Sequence, residues 1–158
     1  MASEKVNLQI AVRNAMRARL ITAKIIDANR IQLPNVTFKK PTSGIWIRES
    51  INEGSEEPKS NAAGREFAVV NYEIFCKASF GADAVDAAVE AIRTALPVLG
   101  ADSEVYNANG QSAFIKNIDK PAGGIDSGDP AWYRRLVAIT VELFNPRRST
   151  VTDYRVRR

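Results

Sequence analysis

Between Arg65 and Phe80 the chain deals its side chains to alternate sides of an extended backbone. Phe67, Val69, Asn71, Glu73 and Phe75 fall on one side, and Val70, Tyr72, Ile74 and Cys76 on the other. Successive side chains of a strand point to opposite faces, so this run requires a sheet whose two faces differ in polarity. The period then changes. Val85, Ala88, Val89, Ile92 and Leu96 recur every three or four residues, which predicts a helix over 81–96. Asp83 is placed to cap its free N–H groups, Asp86 falls in its first turn, and Pro97 stops it.

The rest of the chain supplies the partners. Leu8, Ala11, Val12, Ala15, Met16, Arg19 and Leu20 form one helical stripe, with Asn7, Gln9, Arg13, Asn14 and Arg17 mostly elsewhere around the axis. Ser3 and Glu4 offer a cap region, and the helix can run to about Ala23. Residues 27–44 read as turns and extended pieces, with a short strand over Val36–Lys40; Ile45–Arg48 is strand-like, and 52–64 reads as a solvated loop. A strand is expected from Ser112 to Ile118, then a loop from Asp119 to Pro130. Trp132–Phe144 alternates again, with Val137, Ile139, Val141 and Leu143 on the inward side, until Pro146 ends it. Helix, strands, helix, strands is not the rhythm of a doubly wound sheet. It predicts one α+β domain over 1–144, a mostly antiparallel twisted sheet with two main helices packed on one face, followed by a basic C-terminal extension over 145–158.

Charge follows the same division. Five of the 22 lysines and arginines but one of the 18 carboxylates lie in the last fourteen residues, so the body is neutral and the extension carries the whole net charge of +4. A neutral body has no broad field to gather nucleic acid, whereas a short basic arm can touch phosphate or an acidic partner. At 158 residues the chain suits a single core, and no stretch approaches the roughly 20 apolar residues of a membrane span, so a soluble protein made in the cytoplasm is expected. Cys76, the only cysteine, reads as core filler, and histidine is absent, which removes the usual proton shuttle and the commonest metal ligand.

Four segments invite a chemical reading. Gly123–Asp129 has neither the Lys and Ser/Thr pair of a phosphate loop nor the spaced carboxylates of a calcium loop, and reads as a crossover before the last strand. Glu53, Glu56 and Glu57 have nothing apolar around them to shift their pKa values, and read as a solvated acidic tip able to meet a basic partner. Trp132, Tyr133, Arg134 and Arg135 are open to three readings: an interface anchor, plain strand packing, or stacking on bases. Arg147, Arg148, Arg155, Arg157 and Arg158 form a docking arm, a solubilising terminus or a nucleic-acid contact. With no cofactor or metal implied, a noncatalytic protein is expected, with a nucleic-acid-binding module as a separate alternative.

In this order of pieces the chain resembles the tail terminator-like and minor tail proteins of long-tailed bacteriophages and prophages. The residues that carry the likeness are an N-terminal helix, a Pro-Asn-Val element (Pro34–Phe38), a Trp-containing strand (Gly44–Arg48) and an acidic loop returning through Gly64 and Arg65 into a strand. The helix at Asp83–Leu96 and a last strand opened by Trp132 and Tyr133 complete it. The resemblance implies a virion structural subunit that forms a closed ring, typically a homohexamer, caps the tail tube to end its polymerisation and offers the head-joining face. Its partners would be further copies, the tail tube protein and a head completion or neck protein. It would be found in the host cytoplasm during assembly and then at the neck-proximal end of the tail. A head–tail joining or tail completion protein is the nearest alternative. Subunit contacts are then expected on the β segments 45–51 and 67–80, through Trp46, Arg48 and free backbone edges, with the acidic loop at the rim or lumen.

Overall fold

Leu8, Val12, Met16 and Leu20, spaced by four, line the buried side of helix α1 (Glu4–Thr22) in the computed structural model, which describes residues 4–56, 65–80 and 82–145. The helix stops at a paired turn. Ile25 N–H donates to the Leu20 carbonyl at 3.0 Å and Lys24 N–H to that of Ile21 at 2.9 Å, with Lys24 in the left-handed region at φ 60°. This is the C-terminal motif in which glycine is the usual residue; here a lysine holds the position, and Ile25 packs against the core beyond it.

Seven strands follow: β1 (Ile31–Gln32), β2 (Trp46–Glu56), β3 (Arg65–Lys77), β4 (Glu104–Ala108), β5 (Gln111–Asp119), β6 (Gly124–Ile125) and β7 (Trp132–Phe144), with α2 (Asp83–Ala95) between β3 and β4. They form one mixed, curled sheet in the order β1-β2-β3-β7-β5-β4. Only β1 and β2 run parallel; the other neighbours are antiparallel. β3 and β7 pair along their whole lengths, from Arg65 opposite Phe144 to Lys77 opposite Trp132. β6 pairs with Tyr133 and Arg134 beyond the stretch of β7 taken by β5. Its entry is tight, because a Cβ on Gly123 would lie 2.6 Å from the Tyr133 hydroxyl and 2.9 Å from the Arg134 carbonyl.

Both helices lie on one face of this sheet, as the α+β reading requires. Their stripes, Leu8 to Leu20 on α1 and Val85, Ala88, Val89 and Ile92 on α2, share a core with Ile47, Val70, Tyr72, Ile74, Val137, Ile139, Val141 and Leu143. Each fully enclosed aliphatic side chain there contributes about 1.5–3 kcal/mol. Cys76 belongs to the same core, and burial pushes its thiol pKa up, with Asp86 adding to the shift.

Several expectations are corrected. Val36–Lys40 forms no strand. The strand begun at Trp46 continues through Glu56, well into the expected loop, because β3 satisfies its backbone despite the polar sequence. β4 was not expected; it folds back on β5 through Asn109 and Gly110 at φ 56° and 77°, a turn matched to hairpin twist. Asp83 does not cap α2: the helix begins at Asp83 after Ala82, with no side-chain cap bond. The 119–130 loop contains the two residues of β6. Ser3 and Glu57 lie outside the described residues, as do Arg147, Arg148, Arg155, Arg157 and Arg158.

Candidate interaction surface

The face of the sheet away from the helices starts with an aromatic cluster. Register places Trp46 of β2 opposite Phe75 of β3, and Lys77 of β3 opposite Trp132 of β7. Trp46 stacks on Phe75 with centroids 4.2 Å apart and meets Trp132 edge-on at 5.9 Å. Phe38, in the segment expected to be a strand, closes over Trp46 at 5.2 Å. Four cations ring the cluster: Lys40 stands 5.7 Å from both indoles, Arg48 is 5.1 Å from Phe75 and 5.8 Å from Trp46, and Lys77 is 5.9 Å from Trp132. The fourth, Arg134, joins Arg48 on the Glu73 carboxylate. Cations over desolvated rings attract by about 0.5–2 kcal/mol each.

Trp46 is 0% and Trp132 6% exposed, so neither ring offers a free face to a base or a partner; what the cluster presents outward is its charged rim. The structure thus brings together Trp46 and Arg48 of β2 with Trp132 and Arg134 of β7. It sends their neighbours to the other side of the sheet. Tyr133 packs against the helix-side core, and Arg135 donates to Asp86 Oδ1 at 2.8 Å and to the Pro121 carbonyl at 3.3 Å, tying β7 to α2. Arg135 therefore serves the fold. Glu53 and Glu56 lie at the far end of β2, along the strand from the cluster.

Beyond Glu73 this outer face is half-buried rather than enclosed. Phe67, Val69, Leu136, Ala138, Thr140, Phe114 and Phe144 share it, and no described helix covers it. A second charged group closes the other end, where Glu142 meets Arg65 and, at 3.6 Å, Lys116. The half-buried apolar field is thus bounded at both ends by paired charges.

The expected edge contacts need correction for β3. Its backbone is paired on both sides, by β2 and by β7, so the 67–80 segment has no free edge along Arg65–Lys77. β2 differs: β1 covers only Ile47 and Arg48, and from Glu49 to Glu56 no described strand pairs with its other side.

Sequence reasoning passed over Glu49. Its side chain is fully enclosed between the sheet and α1, where Arg17 grips it through two bonds of 2.8 and 2.9 Å and Arg13 stands at 3.8 Å. That bond holds the Arg17 guanidinium above its ordinary pKa. Tyr72 sits opposite Glu49 in the register, and burial, with the Glu49 charge, raises its phenol pKa strongly. The signal existed in Arg13 and Arg17 at i and i+4, but only the fold shows that this pair faces a carboxylate rather than water. An open groove of about 500 Å³ between the helix ends has Arg19 on its wall, already committed to the carbonyls of Ala95, Asp102 and Glu104. Among the described residues no three His, Cys, Asp or Glu side chains could hold a metal, and no helix is long and apolar enough to cross a membrane.

No protein-family model matches the sequence, and no curated protein matches it. Several solved structures match; one of these chains is similar over 86% of this chain and 94% of its own length, with a TM-score of 0.57 and 17% identity, a likeness that concerns the fold alone.

Proposed function

We propose that this chain is a noncatalytic structural subunit of a phage tail, which assembles into a ring, caps the tail tube and supplies the face joined to the head. The observation that carries the reading is the outer sheet face: Phe67, Val69, Leu136 and Phe144 half-exposed between the Glu73 and Glu142 charge groups. A surface of this kind recognises protein. The resemblance in element order supplies the particular protein class. Ring closure suits such a role, because a heterologous contact that closes on itself stops growing and leaves the tube end covered. The enclosed indoles argue against a nucleic-acid module that stacks bases on Trp46 or Trp132.

Electron microscopy of the purified protein tests the reading. Rings of uniform diameter that bind the ends of tail tubes and arrest their growth are expected. A strict monomer at high concentration overturns it, and rings that bind portal-side complexes in place of tube ends transfer the role to head–tail joining.

A further inference from the structure

β2 holds the longest open edge among the described residues. Past Arg48 its outward N–H and C=O groups have no strand partner up to Glu56. An open row of this kind is a template for another strand unless it is blunted. Gly54 and the register irregularity between Glu53 and Glu56 blunt only its last part, which leaves Glu49–Glu53 regular. The helix beside it contributes apolar surface. Helical spacing puts Ile10 on the same stripe as Arg13 and Arg17, the side that reaches Glu49, and Ile10 is 42% exposed. Ile51 of β2 packs only partly into the core.

One segment of this same chain has the composition to fill that edge. Ser149–Arg157 reads Ser-Thr-Val-Thr-Asp-Tyr-Arg-Val-Arg, with Thr150, Thr152, Tyr154 and Val156 on one side of an extended backbone. β-Branched and aromatic residues in alternation are strand formers. The charges are complementary: the extension carries five arginines against one aspartate, and the far part of β2 carries Glu53 and Glu56. We infer that Ser149–Arg157 of a neighbouring copy adds as a strand to the open edge of β2, beginning at Glu49.

The donor is a neighbour rather than the same chain for a reason of reach. β7 stands three strand spacings, about 14 Å, from that edge and Phe144 is level with the Glu56 end of β2, whereas the five residue steps from Phe144 to Ser149 span at most about 18 Å, too short to pass round the β2–β3 hairpin and enter the regular stretch at Glu53. The donor assignment rests on the ring reading above; the choice of edge does not. Backbone bonds would supply affinity, and the arginine–glutamate match direction, as in other strand additions.

Hydrogen–deuterium exchange on the full-length protein, across a concentration series, tests this. Those amides of 49–53 that point away from β3 should exchange at least tenfold more slowly at high concentration than at high dilution. Adjacent residues of a strand point their N–H groups to opposite sides, so at least one of Val151→Pro and Thr152→Pro must remove a ladder donor and abolish the protection. Glu53→Lys with Glu56→Lys should weaken it, and adding Arg155→Glu with Arg157→Glu should restore it. Rings in the microscope with fast, concentration-independent exchange at 49–53 would overturn the arm assignment and leave the ring reading intact. A monomer whose 49–53 amides are protected at every dilution would overturn the neighbour as donor. Protection that survives both proline variants would overturn the arm altogether.

Discussion

The two faces of β3 are built from the same thirteen residues and do different work. Ala68, Val70, Tyr72, Ile74 and Cys76 lie beneath the helices and are all buried, whereas Phe67, Val69, Asn71 and Glu73 on the other side stay half-open, and only Phe75 is enclosed. The helix-side face draws its stability from aliphatic packing. The outer face has one closed knot of rings at the Trp46 end and an apolar field that nothing described covers. Burial holds the fold on one side and is left incomplete on the other.

The sharpest way to break this contrast is Trp46→Ala, which removes the centre of the outer knot. A loss of about 4 kcal/mol is expected in chemical denaturation, comparable to a deletion in the main core; a loss below about 1 kcal/mol would mean that the ring cluster is decoration. Next comes Arg17→Met, which leaves the enclosed Glu49 with only the more distant Arg13. It should cost about 3 kcal/mol, since one partner of a buried pair is lost, and a neutral result would show that Glu49 finds water.

Tyr72→Phe probes the same face with the opposite sign. The Tyr72 hydroxyl is buried with no hydrogen-bond partner among the described residues, so removing it should stabilise by about 1 kcal/mol at neutral pH. Its phenol pKa is raised in the folded chain, so the unfolded chain alone releases that proton as pH passes its ordinary value near 10. Stability should therefore fall above about pH 10, and the phenylalanine variant should lose part of that slope. The smallest effect is expected from Val69→Ser in the open field: within about 0.5 kcal/mol in denaturation, yet with measurably weaker self-association by sedimentation. Unchanged association would remove the outer face from the interface.

Periodicity made much of this fold legible. β3, α2 and β7 stand where alternation and the helical stripe placed them, since each buries one face against a single neighbour layer. The misses share a different physics. β2 past Ile51 looks like loop because Asn52, Glu53, Gly54 and Ser55 carry no burial signal, but its backbone is paired regardless. β4 was signalled by Asn109-Gly110, the turn dipeptide that most favours a hairpin, although its strand is short and only Val105 is buried. The aromatic cluster could not be read at all. Trp46 and Trp132 are far apart in sequence, and only the combined registers of β2, β3 and β7 bring them within 5.9 Å. Lys40, in a stretch read as a strand, acts instead as a cation over both rings.

The central place of β7 bears on how the molecule comes to exist. Of the strands that follow β2, all but β4 meet this one strand, β3 along one border and β5 with β6 along the other, and it emerges from the ribosome after all of them. Until Phe144 has been synthesised, β3 and β5 lack the strand that pairs with both, and their unpaired edges can recruit the wrong strand. Folding therefore waits for its last strand, and a message truncated before Trp132 would yield material that aggregates rather than a smaller version of the domain.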